Sequence, residues 1–444
     1  MSDAASTAAA AAVREGAGRS PVVGPSRPRL LKVLGPGLIS GAANDDPCAI
    51  ATYSQAGAAF GYGLCWLMPL AYPLMAVVQQ VSGRIGRTTG QGLAGVIARH
   101  YPGWLLQGLV GLLVVANVIA ISADLSVMAE VLRQLVGGGP HLVFVAGLGA
   151  FCVLTQVFTQ YTRYVAILKW ATLSLLSYVA AVLMVGVPWG EVAGAMLRPP
   201  VSLDRDYLTT VVAIFGVALS PYVFFWQASQ EVEDQRVKPR REPLVEAPRQ
   251  APGALWRIRL DTLIGMAVAN LVGLAIMVTT AATLHAQGKT GVASAVDAAE
   301  ALKPVAGELA FAVFGLGVLG TGLLAIPVLA GSAAYAVGEA RRWPVGLGRA
   351  PLEAKAFYAA LAAAVVVGVA VNFSGIDPIR ALYWSAVVNG VVVVPVLAMM
   401  MLLAGRPDIM GEFTVGARLR AVGWVATAVT AACAVAMVVT GLAG

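Results

Sequence analysis

Two acidic side chains stand in the middle of the first apolar segment of this 444-residue chain, in the run GPGLISGAANDDPCAI. If the segment crosses a membrane, Asp45 and Asp46 lie near mid-depth, where a carboxylate is costly unless it faces a cavity or a partner. Pro47 cannot donate a backbone hydrogen bond, so it interrupts the helix and frees the carbonyl oxygen of Ala43 as a ligand. A kinked helix capped by an aspartate is the alternative, and it is compatible with ion binding.

A later apolar segment, VVAIFGVALSPYVFFWQASQ, is interrupted in a similar way. Ser220 and Pro221 stand near its middle, and Pro221 leaves the carbonyl of Val217 without its helical partner. Two proline-interrupted helices at corresponding positions of two halves predict a secondary transporter with an inverted repeat and a site where the breaks meet. The Ser220 hydroxyl binds there directly or through water, or it returns to its own helix.

The ligand atoms available at the two breaks are carboxylate, hydroxyl and carbonyl oxygens. Such hard ligands suit Mg²⁺, Ca²⁺ or Mn²⁺ better than soft metals that prefer thiolate or thioether sulfur. Asp45 and Asp46 would repel an anionic substrate. The two breaks therefore predict that a cation is the substrate, and the sequence indicates no cofactor.

The composition places these breaks in a bilayer. Hydrophobic residues make up 58% of the chain and charged residues only 12%, whereas about a quarter of the residues in a soluble domain are charged. The four cysteines lie in apolar settings and indicate neither a disulfide scaffold nor a thiolate metal site. Lys and Arg outnumber Asp and Glu by 30 to 23, which indicates cytoplasmic loops facing anionic membrane lipid rather than a nucleic-acid partner.

Apolar runs separated by charge, glycine and proline predict an all-α integral membrane protein with about eleven spans. With a cytoplasmic N-terminus, 24 of the 30 Lys and Arg residues lie inside, which supports this orientation. Spans one to five form a first repeat at 33–187, and spans six to ten form a second repeat at 207–404 that includes a cytosolic linker at 231–257. An extra span follows at 405–444. The predicted spans are 33–60, 63–83, 104–130, 141–158, 164–187, 207–230, 258–285, 304–336, 354–372, 380–404 and 418–441.

The segment 1–32 is rich in Ala, Pro and Ser and lacks the pattern of a signal peptide, so we expect a disordered cytosolic tail. The Ala- and Gly-rich composition suits a multi-pass protein of a bacterial plasma membrane. Neither a His cluster nor a Ser-His-Asp set occurs within the spans, which disfavours an enzyme. No Gly-rich phosphate loop with Lys is present, which disfavours an ATP-driven pump.

The segments GPGLISGAANDDP and ISADLS, together with the Ser-Pro break, resemble the natural resistance-associated macrophage protein (NRAMP) family of divalent metal transporters over about residues 30–404. The resemblance implies a five-plus-five inverted repeat of the LeuT type with helices 1 and 6 broken. It also implies acidic, amide and thioether ligands that bind Mn²⁺ or Fe²⁺ with coupled proton transfer. Asp46 matches the acidic ligand, whereas Ala49 replaces the amide and the Ser220-Pro221-Tyr222 motif lacks the thioether.

Two further family positions differ, since Gln227 replaces a histidine and Val127 replaces a proton-path glutamate, while Asp124 is kept. Without the thioether, the preference for softer metals is lost, and Mg²⁺ retains much of its hydration shell when bound. The chain therefore looks like the NRAMP-related magnesium transporter branch, with an oxygen-lined site for hydrated Mg²⁺ or Mn²⁺ and with proton coupling in doubt. The rivals are a proton-coupled Mn²⁺/Fe²⁺ importer and, in another class, a sodium-coupled symporter for an organic solute.

Further side chains are candidates for the surroundings of the site or for an ion pathway. Asp45 adds negative potential or caps the following half-helix, and Cys48 either packs beside the proline or faces the metal. Gln227 either supports the site or joins two helices. Asn389 and Asp124 face the site or a pathway, or instead form interhelical contacts. The full set is Asp45, Cys48, Gln227, Asn389, Asp124 and Tyr222. The oligomeric state stays open.

Overall fold

The computed structural model describes residues 40–41, 43–158, 176–237, 241–292, 295–303, 307–375 and 377–443. Across these residues the regular structure is helical, without a strand. The predicted tail at 1–32, the start of predicted span one and the first half of predicted span five lie outside the described residues. The predicted all-α class is confirmed for the part that is described.

Sixteen α-helices occur in the described residues, together with short 3₁₀ turns, and we number them in chain order. They are α1 (Pro47–Phe60), α2 (Leu67–Thr89), α3 (Leu93–His100), α4 (Gly103–Leu135), α5 (His141–Phe158), α6 (Leu176–Met184), α7 (Trp189–Leu197), α8 (Arg205–Ala218), α9 (Pro221–Val237), α10 (Ala251–Thr283), α11 (Ala295–Glu300), α12 (Ala310–Ala340), α13 (Lys355–Val371), α14 (Pro378–Ala404), α15 (Pro407–Met410) and α16 (Ala417–Ala443).

Eight helical segments in the described residues are long and apolar enough to cross a membrane, or up to ten if two bent pairs count as one span each. One pair joins Pro47–Leu64 to α2 with a bend of 113°, and the other joins Tyr178–Met184 to α7 with a bend of 117°. The prediction of about eleven spans counted 33–60, which contains α1, and 63–83, which lies largely in α2, as two spans. The observed count of up to ten treats α1 and α2 as one bent pair, and the two numbers differ for that reason.

The predicted linker at 231–257 needs correction, because both of its ends are helical. α9 continues through Val237 and α10 begins at Ala251. Between them, the amide of Leu244 donates to the carbonyl of Arg87 over 3.2 Å. The Arg87 guanidinium donates to the carbonyl of Glu242 and to Gln250 Oε1 at 2.7 Å. The connection between α9 and α10 is therefore anchored on the end of α2.

The helix that carries the second break packs unusually closely against α14. A Cβ added to Gly216 of α8 would lie 1.9 Å from the carbonyl oxygen of Ala386, and one added to Gly390 would lie 2.3 Å from that of Val212. Small residues allow such close backbone approach between membrane helices. Any larger side chain at Gly216 or Gly390 would push α8 away from α14 and displace the second break.

Candidate functional site

The first break interrupts the helix at Asp45 and Asp46. Residues 43 and 44 are helical, and α1 starts at Pro47. Asp46 has extended backbone angles (φ −68°, ψ 170°), and its Oδ1 accepts a 2.8 Å hydrogen bond from the amide of Ala49. A carboxylate at this position satisfies a free amide and interacts favourably with the positive end of the helix dipole. The cap of α1 is therefore Asp46 and not Asp45, because the residue directly before Pro47 reaches the amide of the third helical residue, Ala49.

The second break separates α8 from α9. Leu219 leaves the helix with φ −113° and ψ 40°, and α9 starts at Pro221. The Ser220 hydroxyl lies 3.0 Å from the carbonyl oxygen of Gly216 and 2.9 Å from that of Val217. Ser220 thus donates its hydroxyl proton to its own helix, α8, which is one of the two alternatives for this residue, and its oxygen lone pairs stay available. The Val217 carbonyl, which Pro221 cannot bond, accepts a hydrogen bond from Ser220 instead.

Tyr222 is the residue that joins the two breaks. Its hydroxyl lies 2.9 Å from the carbonyl oxygen of Ala43 and 3.0 Å from Asp46 Oδ2, and its side chain is buried. The carbonyl that Pro47 was expected to free therefore bonds to a residue of the other break. Two oxygens from the first break converge on one point, which the tyrosine oxygen occupies.

Three carboxylates meet in this region. Asp45, Asp46 and Asp124 are only 5%, 4% and 0% exposed, and both Asp45 and Asp124 are close enough to Asp46 for direct charge repulsion. Asp124 lies beside the backbone amide of Cys48, yet neither of its oxygens makes a hydrogen bond of good geometry to the described residues. The ion pairs among the described residues lie elsewhere. The region therefore holds buried acidic groups that no described Lys or Arg neutralises.

Cysteine and histidine side chains do not form a metal site at the breaks in the described residues. The Cys48 thiol donates to the carbonyl oxygen of Leu382 on α14 at 3.1 Å. Within the described residues, no group of three or more His, Cys, Asp or Glu side chains is arranged to hold a metal ion. A cation at the breaks would therefore be coordinated by carboxylate, main-chain, hydroxyl and water oxygens.

Gln227 belongs to a separate polar cluster that we call the amide cluster, formed by Ser40, Gln79 and Gln227. Gln227 Oε1 accepts from the Ser40 hydroxyl at 2.8 Å and from Gln79 Nε2 at 3.3 Å. Gln79 also donates to the carbonyl oxygen of Val223 at 3.3 Å. Of the two interpretations of Gln227, the interhelical contact is the one observed. Sequence reasoning missed Ser40 and Gln79, although a glutamine in the apolar run of span two was a usable signal.

Asn389 is buried in α14, and its side-chain oxygen has no hydrogen-bond partner among the described residues. Nothing in the described contacts joins it to Asp46 or to Ser220. It stands next to Gly390, one of the positions where α14 packs closely on α8. The structure thus places Asn389 at the α8–α14 crossing, whereas Asp46, Ala43, Ala49 and Tyr222 are brought together.

A cavity of about 520 Å³, which we call the vestibule, lies on the α1 side of the breaks. Its lining includes Ala51, Gln55, Asp206, Thr210 and Tyr383. The hydroxyls of Thr210 and Tyr383 lie 2.9 Å apart and join α8 to α14. Ala51 is four residues after Pro47, about 6 Å along the helix. The vestibule therefore comes within about one helical turn of the first break, and nothing in the sequence pattern had pointed to it.

Comparison with solved structures supports this arrangement of helices. A crystal structure of a manganese transporter from Eremococcus coleocola, in complex with an aromatic bis-isothiourea substituted compound, superposes with a TM-score of 0.70 at 17% identity and covers 95% of this chain and 89% of that one. MhsT in complex with L-phenylalanine superposes with a TM-score of 0.55 at 13% identity, covering 94% and 98% of the two chains. The predicted LeuT-type fold is confirmed.

Curated relatives match over most of their length. A protein of Burkholderia ambifaria described as divalent metal cation transporter MntH is 28% identical over 415 residues, covering 90% of this chain and 87% of its own. The protein of that description from Aeromonas hydrophila is 29% identical over 402 residues, covering 88% and 91%. Both are described as transporters and not as enzymes. Residues 37–440 match the family model described as natural resistance-associated macrophage protein-like, and the chain therefore belongs to that family.

Proposed function

We propose that this protein is a secondary transporter that carries a divalent cation across the membrane by alternating access, with Mg²⁺ as the main substrate and Mn²⁺ as a second one. A single observation carries the proposal. Asp45, Asp46 and Asp124 are buried together without a described basic partner. Isolated charges in such surroundings are very costly, so a cation that enters the cluster gains the interaction that the protein itself does not provide.

The first break provides the principal ligands in this proposal. Asp46 Oδ1 is engaged by the amide of Ala49, which leaves Oδ2 and the carbonyl of Ala43 directed at a common point. Ser220 and the carbonyl of Val217 contribute neutral oxygens from the second break, directly or through water. Asp45 and Asp124 supply negative potential around the cation.

The distances favour a hydrated ion. Mg²⁺ binds oxygen at about 2.0–2.1 Å and usually keeps several waters, whereas the Tyr222 oxygen lies 2.9 Å and 3.0 Å from its two partners. These are hydrogen-bond distances, so the tyrosine hydroxyl stands where a metal-bound water would donate to Ala43 and Asp46. A hydrated cation would displace this hydroxyl and use the same two oxygens.

The donor set favours a hard cation. Both breaks present oxygen, while the Cys48 thiol is engaged with the Leu382 carbonyl. Softer transition metals gain from thiolate or thioether ligands, which the described site does not offer them. The two curated relatives are described as divalent metal cation transporters, which supports the charge of the substrate and leaves the choice between Mg²⁺ and Mn²⁺ to experiment.

Proton coupling is not expected to be obligatory. Val127 is apolar and buried, and Gln227 is an amide held by Ser40 and Gln79. Neither side chain titrates near neutral pH. Asp124 is the one acidic group of α4 near the breaks, and it acts here through its charge on the cation.

The surroundings of the breaks support alternating access. The vestibule approaches from the side of α1, and the amide cluster lies on the side of the preceding half-helix, where Ser40 bonds to Gln227. The distribution of Lys and Arg supports an orientation with the vestibule outside and the N-terminus in the cytosol of a bacterial plasma membrane. Cations enter through the vestibule and leave when the contacts of the amide cluster open.

The test is uptake into proteoliposomes that contain the purified full-length chain, with a Mg²⁺-sensitive dye or a pH-sensitive dye inside. The proposal predicts Mg²⁺ uptake without accompanying acidification and without a need for sodium. Acidification that accompanies Mn²⁺ uptake, with no Mg²⁺ entry, would instead establish the proton-coupled importer. Sodium-dependent uptake of an organic solute with no response to divalent cations would establish the symporter.

A further inference from the structure

A groove on the outer surface of the helix bundle lies apart from the breaks. α10 and α16 both pack against α2 but hardly touch each other. The space between them has α2 as its floor and a volume of about 770 Å³. Because α10 and α16 are separated there, the part of α2 from Ala76 to Arg84 that lies between them is open to lipid.

One end of this groove is strongly basic. Arg84, Arg259 and Arg418 line it, and none of the residues that line it is acidic. Arg84 is held in place because its Nε donates to the carbonyl of Phe413 at 3.0 Å and its Nη2 to that of Thr414 at 3.2 Å. A guanidinium has five N–H donors, so Arg84 keeps donors for a ligand, and the side chains of Arg259 and Arg418 are exposed.

The rest of the groove is apolar. Val77 precedes Arg84 by two turns on the same face of α2, about 10 Å deeper along the helix, and Leu263 follows Arg259 by one turn on α10. Trp256 also lines the groove and is 53% exposed. Tryptophan is enriched where a membrane protein meets the headgroup layer. A charged end beside an indole, continued by aliphatic side chains, matches the shape of a phospholipid.

We propose that this groove binds an anionic phospholipid, whose phosphate contacts Arg84, Arg259 and Arg418 and whose acyl chain lies along Val77 and Leu263. Guanidinium groups form paired hydrogen bonds with phosphate, and basic pockets between membrane helices bind anionic headgroups on the cytosolic side. The three arginines lie near helix ends on the face that the Lys and Arg distribution predicts to be cytosolic. This lipid site is independent of the proposed transport.

The experiment is native mass spectrometry of the full-length protein in detergent, with phosphatidylglycerol and phosphatidylcholine added in equal amounts. Wild type should retain phosphatidylglycerol in preference to phosphatidylcholine. The Arg259→Gln/Arg418→Gln variant should retain roughly tenfold less phosphatidylglycerol, because each basic residue at an anionic headgroup contributes measurably to binding. Millimolar inorganic phosphate should not displace the lipid, since it lacks the acyl chains.

The matched control is Arg420→Gln, which removes a positive charge two residues from Arg418 on the opposite face of α16. It should retain phosphatidylglycerol like wild type, and thermal unfolding in lipid-free detergent should show all three proteins folded. Equal retention of the two lipids by wild type would overturn the proposal. So would undiminished phosphatidylglycerol on the double variant, or an equal loss on Arg420→Gln.

Discussion

The two helix breaks share a backbone plan and differ in charge. Each ends one helical segment and starts the next at a proline, Pro47 or Pro221. The first break carries two carboxylates, one of which caps α1. The second carries Ser220, whose proton returns to α8. The negative charge that attracts a cation therefore belongs to the first break. The second break contributes neutral oxygens and Tyr222, which hydrogen-bonds to the first break.

Asp46→Ala should have the largest effect, because it removes the only carboxylate that both caps α1 and faces the other break. We expect Mg²⁺ uptake into proteoliposomes to fall by roughly a hundredfold, which is the upper end of the range that is typical for a change outside the ligand shell. Asp408→Ala is the matched control, since Asp408 is an exposed aspartate paired with Arg406 at 2.6 Å. Uptake by Asp46→Ala at the rate of the control would remove Asp46 from the transport site.

Asp124→Asn should come next, because it removes negative charge near Asp46 without touching either break. We expect Mg²⁺ affinity to fall about tenfold through the lost attraction, and the metal-free protein to melt at a higher temperature because an uncompensated buried charge is gone. Titration calorimetry and thermal unfolding measure the two effects. Glu130→Gln on the same helix, where Glu130 pairs with Arg133 at 2.8 Å, should leave Mg²⁺ affinity unchanged. Unaltered affinity in Asp124→Asn would show that this carboxylate does not act on the cation.

Tyr222→Phe tests the relation between the two breaks, because it removes the hydrogen bonds from Tyr222 of the second break to Ala43 and Asp46 of the first. The hydroxyl competes with a cation for Ala43 and Asp46, so its loss should tighten Mg²⁺ binding by roughly five- to tenfold, the scale of one ordinary hydrogen bond. Tyr383→Phe, which loses the bond to Thr210 in the vestibule, serves as the control with unchanged affinity. Weaker Mg²⁺ binding in Tyr222→Phe would mean that the tyrosine oxygen is itself a ligand.

Ser220→Ala should have the smallest effect. Its hydroxyl proton already serves Gly216 and Val217, so only one neutral oxygen contact to the cation, direct or through water, is lost, and Mg²⁺ affinity should fall by no more than about threefold. Thr321→Ala on α12, another hydroxyl that bonds back to its own helix at 3.0 Å, provides the control. A loss as large as that of Asp46→Ala would show that the second break contributes as much as the first.

The breaks themselves could be predicted from the sequence, because proline and mid-span carboxylates act on the chain locally. Pro47 and Pro221 fix where helices start, and Asp46 directly before Pro47 is the natural cap of α1. The sequence left open which of the adjacent Asp45 and Asp46 caps α1, and the structure shows that Asp46 does. Family resemblance then added the fold that the comparisons confirm.

Contacts between distant residues could not be predicted in this way. Tyr222 and Ala43 are 179 residues apart in the chain, and Ser40 and Gln227 are 187 apart, so only packing brings them together. The anchoring of the linker on Arg87 was missed for the same reason, since four prolines in that stretch indicate only that it is not one continuous helix. The type of a residue determines which groups its side chain can bind, whereas the tertiary structure determines which of those groups lie within reach.

The central claim is that the buried carboxylates around the first break bind a divalent cation. Isothermal titration of purified wild type and of Asp46→Ala with Mg²⁺, followed by the same titrations with Mn²⁺, tests it most directly. We predict saturable Mg²⁺ binding to wild type, weaker Mn²⁺ binding, and loss of both in Asp46→Ala. Equal Mg²⁺ binding by the two proteins would contradict the claim.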